Sequence, residues 1–258
     1  MEFRVVIPAR HASTRLPGKP LLDIAGRPMI QRVVERACAS SAAEVLVATD
    51  DPRIAAAVRD PRKPSATIAV LTDPELASGT DRVAAAAVAR GWPDSVIVVN
   101  VQGDEPFLPS ELIDQAASAL AADPAASIAT LATPITTLAE FIDPNVVKVV
   151  TDLQGRALYF SRAPVPFTRD SGASDATGPQ GFDGAMRHIG IYAYRVGALR
   201  RLVALAPSPL EAREKLEQLR ALQNGMAIIV AKADVVPEPG VDTEVDLQRA
   251  RIQAANAG

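Results

Sequence analysis

The chain has a single cysteine, Cys38, among 258 residues. That excludes an intramolecular disulfide and a zinc site built on cysteines. Cys38 lies in the run ERACASS, where it reads as a small buried helix residue and not as a nucleophile. Long apolar runs are also lacking, and none approaches the roughly 20 residues that span a bilayer. Met1 leads at once into a strand, without the basic segment and apolar stretch of a secretory signal. A cytoplasmic protein with no membrane partner is therefore expected. Positive charge is not in excess either. The formal net charge of -3 argues against a nucleic-acid partner, which would require a basic face. No GxGxxG follows the first strand, so a dinucleotide-dependent oxidoreductase is not expected. Internal repeats and low-complexity linkers are missing as well.

What is present is an ordinary globular composition, 48% apolar and 22% charged, long enough to bury a sizeable core. Apolar strand-like runs alternate with helix-like stretches up to about residue 133. Strands are expected at 4–7, 44–49, 67–71, 95–101 and 127–132, with helices at 28–40, 53–59, 83–90 and 109–122. Such alternation predicts an α/β fold: a mostly parallel, doubly wound (Rossmann-like) sheet with helices on both faces. Ligands of such sheets bind outside the carboxyl ends of the strands. From residue 143 the pattern changes. Strands at 146–150, 157–160, 188–194 and 227–231 mix with helices at 196–205, 209–224 and 243–255, and 167–183 is polar, glycine-rich and aperiodic. The expectation is one domain over 1–258 carrying an inserted α+β subdomain at about 143–195, for dimerisation and cover.

Two stretches carry chemistry. The first is RVVIPARHASTRLPGKPLL, residues 4–22. Its strand ends at Pro8, and Arg10, Arg15 and Lys19 follow beside Gly18. Fixed cations next to small residues suit a polyphosphate, although Pro20 after Gly18-Lys19 rules out a Walker A loop. The second is QGDEP, residues 102–106, a sharp acidic turn after the most apolar strand. There Asp104 reads as a ligand of Mg²⁺, which takes one or two carboxylates and completes its shell with water and phosphate oxygens. Asp242, in PGVDTEVDL, reads on its residues alone as the N-cap of the last helix.

The form IPARxxSTRLPGKPL resembles the opening signature of sugar nucleotidyltransferases, above all the 3-deoxy-manno-octulosonate (Kdo) cytidylyltransferases. SGTDR, QGDEP, NVVKVV, LYFSRAPVPFTRD, RHIGIYAYR, SPLEAREKLEQLRALQNG and PGVDTEVDL resemble that family's segments in the same order. The resemblance runs from about residue 3 to 251. It implies Mg²⁺-dependent transfer of CMP from CTP to the anomeric hydroxyl of Kdo, for lipopolysaccharide biosynthesis, by a homodimer. It also implies a nucleotide site of Pro8, Ala9, Arg10, Arg15, Lys19, Ser78, Gly79, Arg82 and Gln102, with Ser78, Gly79 and Arg82 by the cytosine. Asp104 and Asp242 would hold the metal, joining Arg10 and Lys19 as the catalytic set. Gln102, Arg162, His188, Tyr192, Glu217 and Gln218 would line the sugar pocket, Arg162 pairing with the sugar's carboxylate as a planar fork and His188 donating to that carboxylate or to a hydroxyl. No side chain stands out as an essential general base. A cytidylyltransferase for 8-amino-Kdo or sialic acid, or a non-catalytic nucleotide-binding module, is the alternative.

Overall fold

The computed structural model describes residues 1–12, 16–169 and 181–256. The first half runs β1 (Phe3–Ala9), a 3₁₀ turn at Lys19–Leu21, a small hairpin of β2 (Asp23–Ile24) and β3 (Arg27–Pro28), then α1 (Met29–Cys38), β4 (Glu44–Thr49), α2 (Pro52–Ala57), β5 (Ala69–Leu71), α3 (Gly79–Ala89), β6 (Ile97–Asn100), α4 (Ser110–Ala122) and β7 (Ile128–Pro134). Every residue of β1 except Arg4 is buried, as an apolar strand covered on both faces requires. The strands β5, β4, β1 and β6 lie side by side in that order and all parallel. The chain therefore steps outward from β1 to β5 and then returns to lay β6 on the other side of β1. Beyond the carboxyl ends of β1 and β6 that reversal opens a crevice.

The second half comprises α5 (Leu138–Ile142), β8 (Lys148–Thr151), β9 (Ala157–Ser161), β10 (Met186–Arg195), α6 (Val196–Ala204), α7 (Pro209–Glu214), α8 (Gln218–Gln223), β11 (Ile228–Lys232) and α9 (Glu244–Asn256). It completes the order β11-β7-β10-β6-β1-β4-β5, with β8 and β9 branching from β10 as a hairpin. Strand alternation divides the core between two faces. Val5 and Ile7 of β1 pack with Ile30 and Val33 of α1 and Leu112 of α4, whereas Val6 packs with Val83 of α3, Leu199 of α6 and Leu219 of α8. The sheet is mostly parallel with helices on both faces, as the sequence predicts.

Two expectations change. Residues 143–195 do not stand apart as one insertion, because β10 pairs antiparallel with both β6 and β7 in the middle of the sheet; only the β8–β9 hairpin branches off. The expected helix at 209–224 is two helices. Lys215, between α7 and α8, adopts φ 56° and ψ 44°, a left-handed conformation that an α-helix cannot continue through. Most of the aperiodic 167–183 stretch lies outside the described residues, but Phe182 is buried with Ile135, Phe141 and Ala185. None of the described helices is long and apolar enough to cross a membrane.

Candidate functional site

The exit of β1 is held close to two glycines. A Cβ at Gly103 would sit 2.8 Å from the Pro8 carbonyl oxygen, and one at Gly79 would sit 3.2 Å from the Pro8 ring. Only residues without side chains let the turn after β6 and the start of α3 approach β1 this closely. Arg10 ties the same corner together by donating to the Ala77 carbonyl at 2.8 Å. Ser78 caps α3 in a reciprocal capping box with Asp81. Pro8, Ala9, Arg10, Ser78, Gly79 and Gln102 thus stand around one corner of the crevice. Arg15 lies outside the described residues.

Lys19 follows Gly18, whose φ of 66° is a conformation that glycine adopts without cost. Its ammonium donates to Asp104 Oδ2 at 2.6 Å and to Asp242 Oδ1 at 3.0 Å. Two carboxylates from distant parts of the chain so meet on one amine. Asp242 is brought there by backbone, since the Val241 N–H donates to the Asp104 carbonyl at 2.9 Å. The expected cap role of Asp242 belongs instead to its neighbour: the Asp246 N–H donates to Thr243 Oγ1, and the Thr243 N–H donates back to Asp246 Oδ2. That leaves the Asp242 carboxylate directed at Lys19.

Burial, reinforced by Asp104 and Asp242, pushes the Glu105 carboxyl up to about 7 against the pull of Lys19 and Arg187. Two carboxylates converging on one point fit a small hard cation. Among the described residues no cluster of three or more His, Cys, Asp or Glu is arranged to hold a metal, so such a cation would draw its remaining ligands from phosphate oxygens and water.

On the sheet face covered by α3, α6 and α8 lies a cavity of about 240 Å³, whose polar lining includes Thr80, Asn100, Gln102, His188, Glu217 and Gln218, with Tyr192 beside them. Glu217 reaches it because of the break at Lys215: the carboxylate accepts from Ser78 Oγ at 3.0 Å and from Thr80 Oγ1 at 2.5 Å. The helix pair α7–α8 is thereby latched to the amino end of α3. His188 packs edge-on against Phe160 and tilted against Tyr192, with ring centroids 5.1 and 5.2 Å away.

The tautomer of His188 follows from Thr130. Its hydroxyl lies 2.7 Å from the Ile191 carbonyl and 3.0 Å from His188 Nε2. The one hydroxyl proton belongs to the carbonyl, because two lone pairs at that distance would repel. Nε2 therefore carries the proton toward Thr130, and Nδ1 is left as an acceptor. A donating role for His188 is replaced by an accepting one. Burial pushes its pKa down to about 3 from 6.5, so the ring is neutral when folded and charges on unfolding below pH 6.5. Its contribution to stability is thus complete above pH 6.5 and is lost as pH falls toward 3. We expect His188→Gln to remove one proton's worth of that slope, about 1.4 kcal/mol per pH unit, in urea titrations between pH 6.5 and 4. Equal slopes in both proteins would refute the neutral ring.

Two expected site residues sit elsewhere. Arg162 does not line the cavity; its guanidinium donates to the carbonyls of Glu214 and Pro144, both at 2.8 Å. Arg82 is fully buried, pairing with Asp50 Oδ2 at 2.7 Å and donating to Thr72 Oγ1 at 2.7 Å. It braces the loop before α3 from behind and presents no surface to the crevice. The sequence reading missed Thr80, Asn100, Thr130 and Tyr194. Only Asn100 had a visible signal, as a polar residue within the apolar run VIVVNV.

Comparison with known proteins adds to this geometry. A family model described as cytidylyltransferase matches residues 4–228. A 3-deoxy-manno-octulosonate cytidylyltransferase of Methylococcus capsulatus is 54% identical over 250 residues, covering 97% of this chain and 96% of that protein. One from Idiomarina loihiensis is 53% identical, covering 97% and 98%. A solved structure titled as CMP:2-keto-3-deoxy-manno-octonic acid synthetase complexed with CTP superimposes with a TM-score of 0.86 at 40% identity, covering 100% of this chain and 99% of that one. A Bacillus anthracis structure described as a putative glucose-1-phosphate thymidylyltransferase shares the fold alone, with a TM-score of 0.63 at 15% identity.

Proposed function

The chain belongs to the cytidylyltransferase family, and from that membership we propose that it transfers CMP from CTP to the anomeric hydroxyl of Kdo, releasing pyrophosphate. The observation that carries the reading is the meeting of Asp104 and Asp242 on Lys19, with Asp104 two residues along the chain from Gln102, which lines the polar cavity. A triphosphate and a polyhydroxylated acid need such a pair of subsites in contact. Gln102 belongs to both, lying two residues after β6 and two before Asp104 and lining the cavity.

Arg10 and Lys19 would balance the triphosphate, with Arg15 in the same loop. Asp104 and Asp242 would hold Mg²⁺, which when bound supplies Lewis-acid stabilisation of phosphate charge. Positioning and electrostatics carry most of the work in phosphoryl transfer. In the cavity, the Glu217 carboxylate and His188 Nδ1 accept from sugar hydroxyls, while the amides of Gln102 and Gln218 donate. Among the described residues lining the cavity there is no Lys or Arg, and for the sugar's carboxylate to be met by Arg162 its guanidinium would have to leave the Glu214 and Pro144 carbonyls. No side chain is required as a general base.

The single 1–258 domain, the homodimer and the cytoplasmic location belong to the same proposal. Leu138, Ile142, Leu158 and Phe167, all exposed, supply apolar surface for a partner subunit around the β8–β9 hairpin. Pyrophosphate release measured with Mg²⁺, Kdo and each of CTP, UTP, ATP and dTTP tests the reaction. Release is expected only with CTP and Kdo together. Release with another sugar acid in place of Kdo would overturn the sugar assignment, and silence with every pair would overturn the reaction.

A further inference from the structure

Two buried polar atoms in the cavity have no hydrogen-bond partner among the described residues: Asn100 Oδ1 and the Tyr192 hydroxyl. Asn100 is 1% exposed and Tyr192 is 8% exposed. They sit directly opposite each other where β6 pairs with β10, and both line the cavity. A buried polar group without a partner is costly, and here two occur side by side. Asn100 is the last residue of β6, two positions before Gln102, in a run that is otherwise apolar. Its neighbours in the sheet are apolar, with Val6 opposite it on β1 and Val99 before it, both fully buried.

From this juxtaposition we infer that Asn100 is a specificity-determining residue of the sugar site, which together with Tyr192 holds one hydroxyl of the substrate. The inference rests on the proposed function and deepens it. A hydroxyl fits the pair because it accepts from the Tyr192 O–H while donating to Asn100 Oδ1. A carboxylate cannot do both, having no proton to give. A sugar lacking that hydroxyl would leave both protein atoms unpaired in a closed space, the arrangement by which sites reject deoxy analogues most strongly.

The test is Asn100→Leu, with Tyr192→Phe as a second variant that deletes only the hydroxyl oxygen. Both are compared with the wild-type protein in thermal melts and in steady-state pyrophosphate release with CTP and Kdo. Expected for each variant are a Tm that holds or rises, a KM for Kdo raised about tenfold or more, and a KM for CTP within about twofold. The stability readout separates this role from a structural one, since removing an unsatisfied polar group from a core does not destabilise it. A Tm that falls in both variants, or a KM for Kdo that stays put in both, would overturn the inference. Wild-type turnover distinguishes the two levels: a wild-type protein inactive with Kdo refutes the proposed function, whereas active wild type with unaffected variants refutes the role of Asn100 alone.

Discussion

Asp242→Asn is expected to lower kcat on the order of a hundred- to a thousandfold, the usual scale for removing one preorganised electrostatic group from a reaction centre, and to shift Tm by little. The split follows from where the chain puts its hydrogen bonds. The capping of α9 is carried by Thr243 and Asp246, and the 240–242 segment is fixed by the Val241 N–H on the Asp104 carbonyl. An amide in place of the Asp242 carboxylate would leave both intact. What is lost is one of two negative charges facing Lys19 and the crevice. Thr243→Ala is the matching control, expected to cost about 1 kcal/mol of stability with kcat nearly unchanged. If Asp242→Asn instead lowered Tm and spared kcat, the carboxylate would be a cap after all and the proposed metal pair would lose a member.

Arg82→Met is expected to destabilise the protein by about 3–5 kcal/mol, as breaking a buried ion pair from one side does, which at this chain length moves Tm by about ten degrees. The Asp50 carboxylate would remain in its place with no cation beside it, and the acceptors on Thr72 and Asp73 would lose their donor. The double variant Asp50→Asn, Arg82→Met should recover part of the loss, because it removes both charges. In the surviving folded fraction, assayed well below its melting point, the KM for CTP should stay within about twofold. A large rise in that KM at unchanged Tm would place Arg82 against the cytosine and contradict the observed burial.

The parts of the fold legible in the sequence are those whose cause is local. Val5, Val6 and Ile7 form a short β-branched run that reads as a buried strand, and the QGDEP turn closes the apolar run of β6. What was not legible depends on distant chain. Nothing near Asp242 announces that the Val241 N–H will bond to Asp104, so its carboxylate read as a helix cap. Nothing in REKLEQ, with neither glycine nor proline, announces the left-handed Lys215 that turns Glu217 toward Ser78 and Thr80. Arg82 and Arg162 show the limit of residue type as evidence, because a guanidinium serves equally well to grip a ligand or to tie down carbonyls and carboxylates.

The position of β10 has a consequence for how the chain is made. β5, β4, β1 and β6 pair with neighbours synthesised close together, and they can assemble as soon as residue 100 has emerged. β7 has no neighbour from that group, because the strand between it and β6 comes from residues 186–195. Until then the outer edge of β6 presents bare N–H and C=O groups beside an apolar face, the kind of edge along which chains associate wrongly. The late strand also supplies His188, Tyr192 and Tyr194, so the nascent chain can own its basic first loop long before it owns the sheet-side wall of the polar cavity. Closing the edge lays down the sheet-side wall of the cavity, and Leu216, Glu217 and Gln218 complete it afterwards.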